Sequence, residues 1–163
     1  MLADGIFSMW LRTEAAKTAV PGQFISMYTN DGTKLLPRPI SICEINKEES
    51  ALRVVYRVTG ENTGTKQFSE AKARDTIPVI GPLGNGFPLE KCEGKKAFLM
   101  GGGIGVPPIL ELAKQLKNCE KQIVMGYRDA NTFLKEQFEE NGTVYVSTED
   151  GSVGTKGNVM DAI

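Results

Sequence analysis

The stretch that decides the fold is AFLMGGGIGVPPILELAKQLK, residues 97–117. Four apolar residues come first, a cluster of glycines follows, and two prolines then open a run whose apolar residues recur at helical spacing. A short strand that leads through glycines into a helix is typical of the nucleotide-binding end of a parallel sheet, because glycines let the backbone approach a phosphate closely. The stretch therefore predicts an α/β domain with a phosphate-binding turn at Gly101, Gly102, Gly103, Ile104 and Gly105.

The glycine turn is not the full G-x-G-x-x-G fingerprint, because its third glycine comes one residue early. A tight turn that binds nothing is the alternative interpretation. The strand before the turn and the helix after it favour phosphate binding. Pro107 and Pro108 fit the first turn of the predicted helix Pro107–Lys117, where a missing N–H costs little, and the start of that helix is expected to offer free N–H groups to an anion.

The second half of the chain, residues 92–163, continues as alternating strands and helices. Strands are predicted at 97–100, 123–127 and 143–147, with a helix at 132–140 and the start of another at 158–163. Strand–helix alternation of this kind predicts a doubly wound parallel sheet. The chain ends where a further strand is expected, so we expect this domain to be incomplete at its C-terminus, and Lys91–Lys95 to be the hinge that precedes it.

The first half, residues 1–91, has a different pattern. Short segments rich in Val, Ile, Tyr and Phe alternate with turn residues such as Pro21-Gly22 and Asn30-Asp31-Gly32. Strands are predicted at 6–12, 23–28, 40–45, 52–58 and 76–80, with one short helix at 65–71. Short strands at this spacing predict a small antiparallel β-barrel. The fold class is therefore β followed by α/β.

Three further segments of the first half are candidates for binding. In Leu36–Ile42 two prolines stiffen the backbone around Arg38, whose guanidinium suits a diphosphate. Ser41, three residues later, offers a hydroxyl. The alternative interpretation is a surface arginine that binds no ligand. Val55–Val58 carries Tyr56, which could pack against a flat ring, and Gly64-Thr65 precedes a helix and could bind an anion. Gly81–Pro88 contains three glycines and two prolines and forms a shaped loop near the predicted join of the two halves, where ligand sites commonly fall.

Composition excludes several classes of function. The chain has 163 residues, with 19 basic and 20 acidic side chains and a net charge of -1, so it lacks the basic excess of a nucleic-acid-binding protein. It contains no histidine, which removes His-based acid–base catalysis and the commonest zinc ligand. Catalysis would therefore depend on a bound cofactor. Cys43, Cys92 and Cys119 are too far apart in sequence for a metal or redox pair.

Neither a membrane nor a secretory destination is expected. The longest weakly polar stretch, Ala97–Leu110, is too short to cross a bilayer. The N-terminal residues Met1–Gly5 lack the basic and apolar regions of a signal peptide, so a cytoplasmic location is the expectation.

Taken together, these motifs resemble those of the ferredoxin-reductase family of flavoproteins, and among them the electron-transfer subunits of two-subunit dihydroorotate dehydrogenases. The motifs occur in the family's order over nearly the whole chain, and that order is more specific than any one of them. The segments that carry the resemblance are Pro21–Phe24, Leu36–Cys43, Val55–Arg57, Gly64-Thr65, Gly81–Phe87, Gly101–Gly105 and Asp150–Ser152.

The resemblance implies an FAD-binding barrel joined to an NAD-binding domain. It implies that Arg38 and Gly64-Thr65 hold the FAD diphosphate and that Gly101–Gly105 face the phosphates of NADH. It also implies that two segments line the flavin, namely Pro39, Ile40 and Ser41 in the first, and Val55, Tyr56 and Arg57 in the second. Electrons would pass from NADH to FAD, then to a [2Fe–2S] cluster, and then to FMN in a catalytic partner subunit within a heterotetramer that oxidises dihydroorotate.

The chain departs from the family pattern in three places. It lacks the four-cysteine cluster motif, which is expected beyond residue 163, and the Cys-Gly-Pro strand end that lies under the nicotinamide. The segment Thr59–Thr63 is longer than usual, which leaves the alignment of Gly64-Thr65 open.

The preference between NAD and NADP follows from charge. Glu149 and Asp150 would repel a 2′-phosphate and favour NAD, whereas the positive charge of Arg128 would attract that phosphate and favour NADP. Two functional alternatives stay open: a reductase subunit that serves a hydrogenase, sulfide-dependent or glutamate-synthase-like complex, and a module that senses nucleotides without catalysis.

Overall fold

The computed structural model describes all residues, Met1–Ile163, and the chain forms two compact units, Met1–Gly86 and Phe87–Ile163. The boundary expected near residue 91 falls inside a short 3-10 helix, Leu89–Cys92, of the second unit. None of the helices has the length and apolar character needed to span a lipid bilayer.

The first unit is built on a five-stranded antiparallel sheet. Its strands are β1 (Ile6–Arg12), β2 (Phe24–Met27), β3 (Arg38–Asn46), β4 (Ala51–Arg57) and β5 (Val79–Leu83), in the order β1-β4-β3-β2-β5. β1 and β4 pair over seven residues, from Ile6 opposite Arg57 to Arg12 opposite Ala51. The hydrogen-bonded ladder ends at β1 and β5, which are the two edges of the sheet.

One face of all five strands covers a single apolar core. Ile25, Met27, Ile42 and Leu52 are fully buried there, and side chains of β1 and β5 pack against them. The core also receives Phe68 from the helix α1 (Gly64–Glu70). A single core shared by strands from the whole sheet is the packing of a small barrel, and the predicted β-rich first half is confirmed.

The second unit is a parallel α/β sheet. Its strands are β6 (Lys96–Gly102), β7 (Glu120–Tyr127), β8 (Thr143–Thr148) and the two-residue β9 (Thr155–Lys156), and they lie in sequence order. The helices α2 (Pro107–Gln115) and α3 (Lys135–Glu139) connect the first three strands. Buried Leu110, Ile123, Met125 and Phe138 supply the core of this unit. The predicted parallel α/β fold is confirmed, although no reversal of strand order occurs within the chain.

Three elements differ from the expectations. β5 lies three residues later than predicted and continues through Gly81-Pro82, because an edge strand tolerates a proline that cannot donate a ladder hydrogen bond. α3 begins at Lys135 and not at Thr132, since Leu134 adopts a left-handed conformation with φ of 67°. The C-terminal helix is a 3-10 turn, Val159–Ala162, and the short fourth strand β9 precedes it.

Candidate functional site

In the first unit the structure brings together two segments that the sequence treats separately. Arg38 begins β3 and Gly64 begins α1, 26 positions later in the chain. A Cβ atom built on Gly64 would lie 3.2 Å from Arg38 Nε and 3.1 Å from the methyl carbon of Thr29. The missing side chain of Gly64 therefore makes the space in which the Arg38 side chain lies against the start of the helix.

The start of α1 is fixed by a side chain that the sequence reading did not single out. Thr63 is the N-cap residue, and its hydroxyl accepts a hydrogen bond from the backbone N–H of Lys66 at 3.2 Å. The same hydroxyl donates to the carbonyl of Gly60 at 2.8 Å and lies 3.0 Å from the hydroxyl of Thr65. The cap places Gly64 and Thr65 in the first turn of α1.

Electrostatics make this corner attractive to an anion. Arg38 is half-buried, donates a hydrogen bond to the carbonyl of Leu36 and forms no ion pair. Lys66, the nearest cation of α1, lies 3.3 Å from Glu61 and 3.6 Å from Glu70, and its pairing with Glu61 raises the pKa of Lys66. A guanidinium beside the positive end of a helix is unfavourable unless an anion lies between them. Arg38 is therefore the cation at this corner that remains available to a phosphate.

Successive side chains of the segment after Arg38 lie on opposite faces of β3. Pro39 and Ser41 are exposed, whereas Ile40 is half-buried and packs against the core. Along the sheet, Pro39 pairs with Ser26 and Ser41 pairs with Phe24. The predicted flavin-lining segment thus offers the side chains of Pro39 and Ser41 to a ligand, while Ile40 can contribute its backbone.

The second predicted flavin segment, on β4, is mostly buried. Val55 and Tyr56 are 3% and 2% exposed, and only Arg57 is exposed at the end of the strand. The ring of Tyr56 stacks on Phe7 with centroids 6.2 Å apart and meets Phe68 edge-on at the same distance. The interpretation that the ring of Tyr56 packs against a flat ligand is not supported by this packing, because the ring lies among core aromatics.

In the second unit the glycine turn lies where the sequence placed it, between β6 and α2. Gly101 and Gly102 end the strand, and Gly103–Gly105 form a single 3-10 turn with a φ of 53° at Gly103. A Cβ on Gly101 would lie 2.9 Å from the carbonyl oxygen of Gly105 and 3.0 Å from Cα of Val106. A Cβ on Gly102 or Gly105 would meet nothing within 4 Å. Gly101 is thus required by the fold, and the other two leave an open approach to the backbone.

The predicted role of the helix N-terminus is wrong in one respect. Pro107 and Pro108 have no N–H, and the N–H of Ile109 is bonded to the carbonyl of Val106 at 3.1 Å. The first three residues of α2 therefore offer no free donor. Any backbone donors for a phosphate must come from the glycine turn itself, and the helix contributes its dipole.

The loops that follow β7 and β8 lie next to each other at the carboxyl edge of the parallel sheet. The N–H of Glu149 donates to the carbonyl of Tyr127 at 3.1 Å, and that of Asp150 to the carbonyl of Arg128 at 3.4 Å. The hydroxyl and the N–H of Ser152 bond to Asp150 Oδ1 at 2.6 and 2.9 Å and lower the pKa of the Asp150 carboxyl. Two exposed carboxylates and the exposed Arg128 thus share this edge.

Several features of the first unit escaped the sequence reading. Thr29 lies against Gly64 beside Arg38. Together with Asp31, Gln67, Tyr28 and Phe68 it also lines a cavity of about 530 Å³. Only the Asn-Asp-Gly turn signal marked this loop, and it carries no information on long-range contacts. No group of three or more metal-ligating side chains lies close enough together to hold an ion, and Cys43, Cys92 and Cys119 form no disulfide bond.

Comparisons with known proteins agree with this architecture. No family model matches the chain. It is 43% identical to the electron transfer subunit of dihydroorotate dehydrogenase B (NAD(+)) from Streptococcus mutans and 45% identical to that from Streptococcus thermophilus, over 99% of this chain in both cases. The subunit from a Geobacillus species is also 45% identical. The chain spans 64–65% of the length of these relatives.

Solved structures give the same result for the fold. An NADH-dependent reduced ferredoxin-NADP oxidoreductase matches 99% of this chain with a TM-score of 0.88 at 31% identity, and 58% of that chain is covered. A ferredoxin-NADP+ reductase from Plasmodium falciparum matches 96% of this chain and 70% of its own with a TM-score of 0.74 at 15% identity, which shows the fold alone. The chain therefore has the fold of the ferredoxin-reductase-type flavoproteins and is similar over almost its whole length to the electron-transfer subunits of NAD-linked dihydroorotate dehydrogenase.

Proposed function

We propose that the chain is the FAD- and NAD-binding part of an electron-transfer subunit. It carries electrons between NADH and the FMN of a dihydroorotate dehydrogenase catalytic subunit, through FAD and a [2Fe–2S] cluster held by residues outside this chain. The names of the relatives support this acceptor over a hydrogenase, a sulfide-dependent enzyme or a glutamate-synthase-like complex. Assembly with the catalytic subunit as a heterotetramer and a cytoplasmic location belong to the same proposal.

The observation that carries the proposal is the corner formed by Arg38 and Gly64. An unpaired guanidinium is held against the first turn of a helix, and a glycine leaves the space for it. Arginine grips phosphate groups bidentately, and a helix start adds a positive partial charge. Both features point to a diphosphate, and FAD carries one.

The residues fit FAD as follows. Arg38, Gly64 and Thr65 hold the diphosphate, and the exposed Pro39 and Ser41 lie beside the flavin, with Ile40 supplying backbone. In the second flavin segment the side chains of Val55 and Tyr56 are buried, so these two residues would contribute backbone alone, and Arg57 is the accessible side chain. Bound FAD supplies the hydride and single-electron chemistry, and the protein's task is to bind and orient it.

Gly101–Gly105 form the candidate site for NADH. The open space beside Gly102 and Gly105 lets the diphosphate reach the backbone. Glu149 and Asp150 disfavour the additional 2′-phosphate of NADPH by repulsion, and the hydrogen bonds of Ser152 hold the Asp150 carboxylate in one position. The chain needs no histidine in this scheme, because it moves no proton of its own.

Purification tests the proposal directly. The intact protein should be yellow, contain FAD and lose its yellow colour when NADH is added under anaerobic conditions. NADPH at the same concentration is the matched control and should act far more slowly. A colourless protein that does not take up added FAD would contradict the proposed function. A yellow protein that NADH does not reduce would support a nucleotide-sensing module instead.

A further inference from the structure

Asp31 is the centre of a hydrogen-bond network that the proposed site does not use. Its Oδ1 accepts bonds from the N–H of Thr33 at 2.9 Å and the hydroxyl of Thr33 at 2.7 Å. Its Oδ2 accepts bonds from Lys34 Nζ at 2.7 Å and Gln67 Nε2 at 2.9 Å. The bond from Lys34, followed by those from Thr33 and Gln67, holds the pKa of the Asp31 carboxyl well below its usual range. The carboxylate thus stays charged at any physiological pH.

The network joins the loop before β3 to α1. Asp31 lies in that loop, and Gln67 is on α1, one turn after Gly64. Residues three apart on a helix share a face, so the bond to Asp31 holds the face of α1 that also carries Gly64. The Asp31–Gln67 bond spans 36 positions of sequence, and it is a side-chain tie between this loop and this helix.

The same loop sets the position of Arg38. The methyl carbon of Thr29 and Nε of Arg38 lie side by side over Gly64, 3.1 and 3.2 Å from the place of its missing Cβ. The hydroxyl of Thr29 is 3.3 Å from the carbonyl oxygens of both Asp31 and Lys34. The guanidinium of Arg38 donates to the carbonyl of Leu36, which belongs to the same loop. A shift of the loop would therefore move Arg38 away from the helix.

We propose that Asp31 is a positioning residue for the diphosphate site: by tying the loop Thr29–Pro37 to α1 through Gln67, it holds the Arg38 guanidinium in place. This inference rests on the proposed function. Asp31 need not touch the ligand itself. Its effect on FAD affinity passes through Arg38, because Thr29 of the tied loop and Arg38 both lie against Gly64.

The test is a double-mutant cycle on FAD affinity in the intact protein. Asp31→Asn removes the charge but keeps the size, and Gln67→Met removes the tie to α1 but keeps the other bonds of Asp31. Each should raise the Kd for FAD about tenfold, a change typical of a coupled pair. Asp31→Asn combined with Arg38→Ala should bind FAD no more weakly than Arg38→Ala alone. Glu14→Gln, which breaks the exposed 2.6 Å ion pair with Lys17 in the same unit, is the matched control and should leave the Kd unchanged.

The possible results separate the two proposals. If wild-type protein binds FAD and Arg38→Ala weakens it, but Asp31→Asn and Gln67→Met do not, the positioning role of Asp31 is wrong and the proposed function stands. If the effects of Asp31→Asn and Arg38→Ala multiply, Asp31 acts independently of Arg38 and the inference also fails. If the wild-type protein does not bind FAD, the proposed function itself fails, and this inference with it. Thermal midpoints of all variants, measured without FAD, show whether each variant is folded.

Discussion

The two candidate phosphate sites of this chain are built in opposite ways. In the first unit a charged side chain, Arg38, is packed into the space left by Gly64, so side-chain contacts define the site. In the second unit the turn Gly101–Gly105 has no cationic side chain, and its shape is set by backbone contacts such as that of Gly101 with Gly105. A charged, packed site suits a nucleotide that stays bound, because ion pairing slows its release. A neutral backbone site suits one that must leave after each turnover.

The largest effect should come from removing the charge of the first site. We expect Arg38→Ala to raise the Kd for FAD about 100-fold, equivalent to about 2.7 kcal/mol, since two charge-assisted hydrogen bonds are lost. Equilibrium dialysis or flavin fluorescence measures the affinity. Arg12→Ala, which removes an exposed arginine elsewhere in the same unit, is the control and should leave the Kd unchanged. Equal FAD affinity in the two variants would contradict the role of Arg38.

Two neighbouring glycines test the backbone site. We expect Gly101→Ala to lower the free energy of unfolding of the second unit by about 1–3 kcal/mol, because the new methyl group would press on backbone atoms that cannot move aside. Gly102→Ala should change that free energy by no more than about 0.5 kcal/mol, since its backbone is extended and its surroundings are open. Denaturant titrations measure both.

The same pair separates stability from ligand binding. Gly102→Ala places its methyl group in the open approach, so it should raise the Kd for NADH about tenfold despite its unchanged stability. An unchanged Kd would mean that the ligand does not approach the turn from that side. Equal loss of stability in the two variants would mean that the backbone contacts of Gly101 do not set the turn.

A methyl group at Gly64 should have a smaller effect than the changes above, and it should weaken FAD binding without lowering stability. Arg38 and Thr29 are side chains that can yield by a few tenths of an ångström, so Gly64→Ala should displace the guanidinium and weaken FAD binding roughly fivefold to tenfold. Stability should stay equal or rise slightly, because alanine favours a helix over glycine. If Gly64→Ala instead unfolds the first unit, the glycine serves the fold, and the contrast between the two sites is lost.

The smallest effect concerns the base sensitivity of the first unit. Burial raises the pKa of Tyr56 from its ordinary 10.0 to about 12. The folded state thus favours the neutral phenol, and this contribution to stability is complete below pH 10 and declines as the pH rises towards 12. Tyr56→Phe should therefore lose less stability than the wild type between pH 10 and 12. The exposed Tyr145→Phe is the control, and equal losses in all three proteins would show that Tyr56 does not titrate in this way.

Sequence patterns predicted most of the fold because runs of strand-forming residues are separated by clear glycine and proline turn signals. β1 was predicted to the residue, since Ile6–Arg12 is an uninterrupted run without glycine or proline that begins directly after Gly5. β9 was missed because two residues carry no periodicity. The orientation of Tyr56 was also unpredictable, because Val54, Val55 and Tyr56 are all buried and no alternation marks the inner face.

The candidate site was predicted as separate motifs, and its geometry was not. Glycine and proline signals identified Arg38, Gly64 and Gly101–Gly105, since these residues restrict or free the backbone locally. The contact of Arg38 with Gly64, and the tie from Asp31 to Gln67, depend on how the strands pair, and short-range patterns do not contain that information. The sequence showed that Pro107 and Pro108 have no N–H to offer. It did not show that the next N–H, that of Ile109, is already bonded to the carbonyl of Val106.

The central claim is that the chain has two separate nucleotide sites, one built on a side-chain charge and the other on backbone. Its most direct test is NADH binding by Arg38→Ala protein kept saturated with added FAD. The account predicts that the Kd for NADH equals that of the wild type, while the Kd for FAD is about 100-fold higher. A parallel loss of affinity for NADH and FAD, or a loss for NADH alone, would contradict it.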